Sequence, residues 1–284
     1  MTKPLLSIVI ANYNYGRFLE EAIRSVFGQG MDNKVELIIC DAASTDNSVE
    51  VIKKYEDKIA WWCSAKDGGQ SAAFNKGFSR ASGEWLTWLN ADDILLPGTL
   101  KAFENLIERH SDAVWITGNK LAFDSDSRVI KQVYWGPHIQ LPLVSGRHAF
   151  SAVFGPTTFF KKSLYEKMGP IDEKLHYAMD SAYWGLFTVR GIRQTRLNHI
   201  CWAFRVHGAS KTAGEQTKII VSKRNEETRY WRNKIGYHFP VRLSNVWYLA
   251  WVAWRVVDLS WIVRFIKKLK YEGISLDSYL ERRV

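Results

Sequence analysis

Gly83-Glu84-Trp85-Leu86-Thr87-Trp88-Leu89-Asn90-Ala91-Asp92-Asp93-Ile94-Leu95-Leu96-Pro97 is the stretch that decides how this chain is read. Glu84 to Leu89 is aromatic-rich and mostly apolar, the pattern of a buried strand. It runs into Asn90-Ala91-Asp92-Asp93, two adjacent carboxylates that a buried strand does not carry without a partner. Pro97 predicts the opening of a helix, because proline is favoured at a first helical position. In an open α/β sheet ligands bind outside the carboxyl ends of the strands. An acidic pair at such an end is placed to hold a hard cation through oxygen ligands. The plainer reading is a capping turn with surface acids.

Working outward, Leu5 to Ala11, Val35 to Cys40 and Ile59 to Cys63 are short apolar runs that predict buried strands. Helices are predicted from Arg17 to Gly28, from the capping residues Ser44-Thr45-Asp46 to about Tyr55, and after Asp67-Gly68-Gly69-Gln70 up to Gly83. Strands alternating with helices over the first hundred residues argue for parallel βαβ units. No Gly-x-Gly-x-x-Gly follows any strand, and there is no Gly-x-x-x-x-Gly-Lys-Ser/Thr loop, so the dinucleotide and P-loop readings lose most of their weight. Further on, strands are predicted at Ala113–Thr117 and His199–Arg205. A hairpin is expected from Lys120–Phe123 and Arg128–Trp135 around Asp124-Ser125-Asp126-Ser127. Gly155 to Phe160 reads as extended, and helices follow near Lys162–Met168 and from Asp180 to about Arg190. Trp61, Trp62, Trp85 and Trp88 are expected in the core.

A chain of 284 residues suits one large α/β domain, or a domain with an appendage. The three cysteines have no metal-ligand spacing and read as reduced residues of a cytosolic protein. No signal peptide is read, since Met1-Thr2-Lys3-Pro4 leads straight into the first strand. The net charge of +10 is uneven: Lys218 to Val284 carries 14 Lys and Arg against 6 Asp and Glu, leaving only +2 for everything before it. That asymmetry points to an anionic partner for the tail. Residues 244–270 are rich in tryptophan, but Arg255, Asp258 and Arg264 interrupt them, and a charge at a bilayer centre costs about 2.5–3.5 kcal/mol. The expectation is an amphipathic segment lying on the inner face of the cytoplasmic membrane; packing on the catalytic domain or in a homo-oligomer is the alternative. A nucleic-acid partner has no reading motif to support it.

Asp41, Asp92-Asp93, Asp180 and His207 each fall at a strand end or helix start, where an α/β site assembles. Ser7-Ile8-Val9-Ile10-Ala11-Asn12-Tyr13-Asn14 and Leu19-Glu20-x-Ala22-Ile23-x-Ser25-Val26 resemble the opening of the family 2 glycosyltransferases of the GT-A fold. The likeness continues through Asp41-x-x-Ser44-x-Asp46, Asp67-x-Gly69-Gln70, Asn75-Lys76-Gly77 and Asn90-x-Asp92-Asp93. It then extends through Gly169-x-x-Asp172-Glu173, Ala178-Met179-Asp180 and Arg205-x-His207-x-x-Ser210-Lys211-Thr212. It spans roughly residues 5 to 212, with the motifs in the expected order.

The resemblance implies a GT-A, Rossmann-like α/β fold, a mostly parallel sheet flanked by helices in a catalytic domain of residues 1–214; the basic, Trp-rich pattern beyond it reads as a helical extension over 215–284. The resemblance also implies a metal-dependent inverting glycosyltransferase moving a sugar from a nucleotide-diphosphate donor, UDP-linked, to a saccharide or lipid-linked hydroxyl acceptor in cell-surface polysaccharide or glycolipid assembly. Ala11, Asn12, Asp41, Asp67 and Asp92 would bind the nucleotide. Asp92, Asp93 and His207 would hold Mn²⁺ or Mg²⁺, Asp93 mattering more than Asp92, and Asp180 would be the catalytic base. Two departures stand out: Ala42-Ala43 replaces a Gly-Ser-like pair, and Asn90 stands where many relatives have a first Asp. The competing reading is a catalytically silent sugar-nucleotide-binding or scaffold protein. Asp46 is expected as a helix cap, Lys76 as helix surface, and Asp172 either in loop orientation or at substrate.

Overall fold

A computed structural model describes residues 3–30, 34–133, 155–208, 210, 217–236 and 270–281. The first ninety residues form the predicted alternation: β1 (Leu6–Asn12), α1 (Gly16–Phe27), β2 (Val35–Asp41), α2 (Ser48–Lys54), β3 (Trp61–Ser64), α3 (Gln70–Arg80) and β4 (Trp85–Asn90). β1 lies between β2 and β4, β3 pairs with β2, and all these pairings are parallel. A strand's period of two sends Ile8, Ile10, Leu37, Ile39, Trp85 and Leu89 to one face, under α1 and α2. It sends Val9, Ile38, Leu86 and Trp88 to the other, under α3. Both faces are covered, so these strands read as continuous apolar runs. Helix α3 packs hard on β1: a Cβ at Gly77 would come within 2.3 Å of Val9 Cγ1.

The second half is built differently. β5 (Ile94–Leu95), α4 (Thr99–Arg109), β6 (Trp115–Asp124), β7 (Val129–Val133), β8 (Thr158–Lys161), α5 (Lys162–Met168), α6 (Met179–Val189) and β9 (Thr195–Val206) continue the sheet in the order β3-β2-β1-β4-β8-β6-β9-β5, with β7 beside β6. β8 runs antiparallel to β4 and to β6, β9 runs parallel to β6, and β5 runs antiparallel to β9. Trp184 of α6 stacks on Trp88 with ring centroids 4.9 Å apart and planes 8° from parallel.

Several boundaries differ from the sequence reading. The segments 113–117 and 120–123 are one continuous strand, β6, because β8 and β9 pair along its length. Gly155–Thr157 is a 3₁₀ turn, and only then does the chain extend as β8. Helix α4 begins two residues after Pro97, behind Gly98 in the left-handed region at φ 75°. Trp85 and Trp88 are core, whereas Trp61 and Trp62 on the edge strand β3 are only half-buried. The hairpin turn Asp124–Ser127 is present, while the expected strand end at 134–135 lies outside the described residues.

From the expected extension, α7 (Thr217–Lys234) and α8 (Leu276–Glu281) are described. Trp231 of α7 enters the cluster of Met179, Tyr183 and Trp184. Leu276 and Tyr279 of α8 pack with Leu121, Phe123, Val129 and Ala203. Both helices therefore rest on the sheet body, α7 against α6 and α8 against β6, β7 and β9. Residues 244–269 of the expected membrane segment lie outside the described residues. Among those described, no helix is long and apolar enough to cross a membrane.

Candidate active site

β1, β2 and β4 end together. The register pairs Asn12 with Asp41 and Ala11 with Asn90, which sets these residues along one rim at the carboxyl edge of the parallel strands. Asp41, 1% exposed, is encircled by donors. Asn12 Nδ2 donates to Oδ1 at 2.7 Å, the Ser44 amide to Oδ2 at 3.0 Å and Ser64 Oγ to Oδ2 at 2.6 Å, and the Ser44 hydroxyl also donates to Oδ1. Asn12 Oδ1, by contrast, is buried and accepts no hydrogen bond among the described residues. Asp67 lies three residues past the end of β3 and accepts the Gly69 amide at 2.7 Å, shaping the turn into α3.

At the end of β4 a polar relay fixes the acidic pair. Gln70 Nε2 donates to Asn90 Oδ1 at 2.9 Å, and Asn90 Nδ2 donates to Asp93 Oδ2 at 2.7 Å. An aspartate at position 90 has no N–H to give and would bring a further negative charge to a buried carboxylate; the amide does both jobs of the relay. The Arg205 amide closes the other oxygen of Asp93 at 3.0 Å. Burial first, and the neighbouring Asp92 second, push the Asp93 carboxyl well above the usual carboxylate range. Asp93, expected to matter most for a cation, thus has both oxygens committed to protein donors. Asp92 Oδ2 instead meets His207 Nε2 at 3.1 Å. The imidazole rests edge-on to Tyr15 and against Phe18, with Arg17 Nη2 3.5 Å from Nδ1. Burial, then Asp92 and Asp93, push the Tyr15 hydroxyl up to about 12, so it stays protonated.

Arg205 is the clasp between the two halves of the sheet. Its Nε donates to the Asp92 carbonyl at 3.0 Å, and its guanidinium pairs with Glu21 of α1. The same group lies over Phe18 and Phe123, 4.8 and 4.4 Å from the ring centroids. It arrives because β9 pairs antiparallel with β5, the two residues that follow the acidic turn.

Asp180 is the second residue of α6. Its Oδ1 accepts the Ser181 amide at 2.6 Å. Burial pushes its carboxyl up, opposed by that bond and by the charges of Lys120 and Arg224. Lys120, on β6, has its Nζ 5.5 Å from the ring centroids of both Trp202 and Phe204. Burial lowers its ammonium to about 8, while Asp180 and then Asp93 pull it back up. One cation therefore lies in the field of both Asp180 and Asp93. The sequence reading passed over Lys120; its signal was a lone cation in the buried run from Trp115 to Phe123.

Other sequence candidates have structural work. Asp46 accepts the Gly16 amide at 2.9 Å and the Ser48 amide at 3.0 Å, joining the starts of α1 and α2. Asp172 binds Lys234 and Tyr230 of α7. Lys76 is exposed on α3. Lys211 and Thr212 lie outside the described residues. Among the described residues no group of three or more His, Cys, Asp or Glu side chains is gathered to hold a metal. Asp92 and His207 nevertheless adjoin, and a carboxylate oxygen beside an imidazole nitrogen is a donor set that divalent cations accept.

The chain is similar to an uncharacterised glycosyltransferase of Nostoc sp., 31% identical over 84% of this chain and 79% of that protein. It is also similar to one of Rickettsia typhi, 29% identical over 74% of this chain and 66% of that protein. Among solved structures, Staphylococcus aureus TarS in complex with UDP-GlcNAc superposes with a TM-score of 0.60 at 17% identity, covering 77% of this chain and 66% of that one. The mannosyltransferase PcManGT of Pyrobaculum calidifontis, in complex with GDP-Man and Mn²⁺, superposes with a TM-score of 0.53 at 14% identity, covering 95% of this chain and 88% of that one. The chain spans 61% of a further TarS structure, in complex with UDP. Residues 7–169, more than half of the chain, match the family profile described as glycosyl transferase family 2. With the acids ranged along the carboxyl edge of a mostly parallel sheet, and with these relatives, the chain is a GT-A glycosyltransferase belonging to glycosyl transferase family 2.

Proposed function

We propose that this glycosyltransferase moves a sugar from a UDP-linked donor to a hydroxyl acceptor by one inverting displacement, with Asp180 as the general base. The observation that carries the reading is Lys120, a buried cation beside Trp202 and Phe204 whose charge feels both Asp180 and Asp93, which puts the base and the acidic pair on the same side of the sheet's carboxyl edge in this reading. Asp180 takes the acceptor's O–H proton while that oxygen attacks the anomeric carbon. The bond from that carbon to the diphosphate breaks, and the nucleoside diphosphate leaves with the electron pair. A carboxylate whose proton affinity is raised by burial is better matched to this transfer at neutral pH. The orphaned Asn12 Oδ1 suits a nucleobase N–H, and uracil offers one at N3. Ala11, Asp41 and Asp67 complete the nucleotide edge.

Asp92 and His207, with Asp93 behind them, would hold Mn²⁺ or Mg²⁺, and such a cation when bound supplies positive charge to the departing diphosphate. The acceptor class we favour is a saccharide or lipid-linked saccharide of a cell-surface polysaccharide or glycolipid. The basic stretch 244–270 would bring the enzyme to the inner membrane face. Flotation with anionic liposomes tests that part, and a chain cut at Ser244 that floats as well as the full chain removes it.

The test of the central reading is Asp180→Asn. Transfer should fall by about 10²–10⁴-fold, the usual contribution of a general base, while calorimetric binding of UDP stays nearly unchanged. Transfer at the wild-type rate would sink the base assignment, and equal affinity for GDP and UDP would sink the choice of base.

A further inference from the structure

Helix α7 does more than cover the α6 side of the sheet. The carboxylate of Glu227 accepts three consecutive backbone amides: His176 at 3.0 Å on Oε1, and Tyr177 at 2.7 Å and Ala178 at 2.9 Å on Oε2. These are the last three residues before α6, and Asp180 is two residues further on. Successive amides turned toward one anion form a nest. Hydrogen bonds to an ionised acceptor are roughly twice as strong as neutral ones, and an anion there also suits the positive end of α6.

The same face of α7 is braced at two more points. Trp231, one turn on from Glu227, lies so close to α6 that a Cβ at Gly185 would come within 2.7 Å of its ring. Lys234 Nζ reaches Asp172 Oδ2 at 2.7 Å, and Tyr230 donates to the same oxygen at 3.1 Å. Positions 227, 231 and 234 follow the i, i+4, i+7 spacing of one helical stripe. One turn earlier, the Arg224 charge favours the ionised form of Asp180.

We infer that Glu227 is a positioning residue of the transferase: by holding the amides of residues 176–178 it fixes the start of α6 and, through it, the direction of the Asp180 carboxylate. Helix α7 then completes the site, although it lies beyond the stretch that matches the family profile. A simple cap would stabilise α6 anywhere along its approach; this one grips the three residues that lead directly into the turn carrying the base. The inference rests on Asp180 acting as the base.

The experiment uses the full chain and three variants, Glu227→Ala, Glu227→Gln and Lys234→Ala, beside Asp180→Asn. UDP or GDP release is followed from whichever of UDP-glucose, UDP-N-acetylglucosamine and GDP-mannose the wild type turns over, with water as acceptor. Exchange of the 176–178 amides is measured in parallel. Glu227→Ala should lower kcat by about 10–100-fold, the cost of a misplacement near 1 Å, with donor KM held within about twofold. It should also shift the acidic limb of the kcat–pH profile and speed exchange of the three amides. Glu227→Gln keeps the shape and one acceptor oxygen, so it should fall between, and it carries the test if the alanine variant does not fold. Lys234→Ala should leave kcat unchanged. Wild-type kcat and pH profile in Glu227→Gln, with Asp180→Asn dead, overturns the inference alone. A loss in Lys234→Ala equal to that in the Glu227 variants also overturns it, because docking of α7 would then be all that matters. Full activity in Asp180→Asn removes the base reading and the inference together.

Discussion

The parallel half of the sheet, β1 to β4, and the mixed half, β5 to β9, are built by opposite means. In the first, each functional residue stands at the end of a strand that neighbours the next in sequence or nearly so, and the rim Asn12–Asp41–Asn90 follows from register alone. In the second, Arg205 and His207 reach the acidic turn only after β8 has reversed direction and β9 has returned to lie against β5, and Lys120 carries the field of Asp93 across to Asp180. The parallel part sets a surface, and the mixed part supplies the cations and, in the proposed mechanism, the base that would act over it.

Arg205→Ala should break this arrangement most severely. It removes the bond to the Asp92 carbonyl and the cation beside two buried acids, a loss of about 3 kcal/mol by the measure of disrupted buried charge networks. Urea unfolding should show it, and transfer should fall even in the folded fraction. A wild-type midpoint would mean the halves are not clasped there. Gly77→Ala tests the parallel part by itself. The added methyl meets Val9, and overpacking of this kind costs about 1–3 kcal/mol. Calorimetry should find a lower Tm with kcat per folded molecule intact, since Gly77 touches no polar group of the rim.

The smallest effect sharpens the comparison through pH. Burial holds the Lys120 ammonium at about 8, below its unfolded value near ~10.4. The charged form therefore costs stability in full below about pH 8, and the cost fades as pH rises through the window between the two values. Lys120→Met should gain most over wild type at pH 7, with the gain shrinking by pH 10; a gain independent of pH would place that ammonium in water.

How much of this could be read from the residues follows the same division. The strands to Asn90 were legible because apolar runs of four to seven residues between helical stripes admit one arrangement, and their carboxyl ends are where ligands lie. The continuity of β6 was not, because Gly118 and Asn119 interrupt the apolar pattern, and it is pairing along β9, Asn119 with Ile200, that carries the strand through them. Nor could spacing show that Asp93 would turn inward: its partner Arg205 is 112 residues away. Glu227 was hidden for the same reason, as one of two adjacent acids on a charged helix, its target being distant backbone amides. Asn90, noted as a departure from its relatives, gained meaning only when Gln70 and Asp93 were found on either side of its amide.

The clasp made by Arg205 also has a consequence in time. A chain emerging from the ribosome completes β1 through β4, and with them the acidic turn, more than a hundred residues before Arg205 appears. Until then Asp93 lacks the amide that closes its second oxygen, and Asp92 lacks the guanidinium on its carbonyl, so burying the acidic pair would be costly. The acidic turn must therefore stay wet while the rest of the parallel sheet packs. Closing so long a loop is a late and slow event in folding. During synthesis the chain passes through a stage with a formed parallel edge and an open acidic corner, and β9 is the strand that closes it.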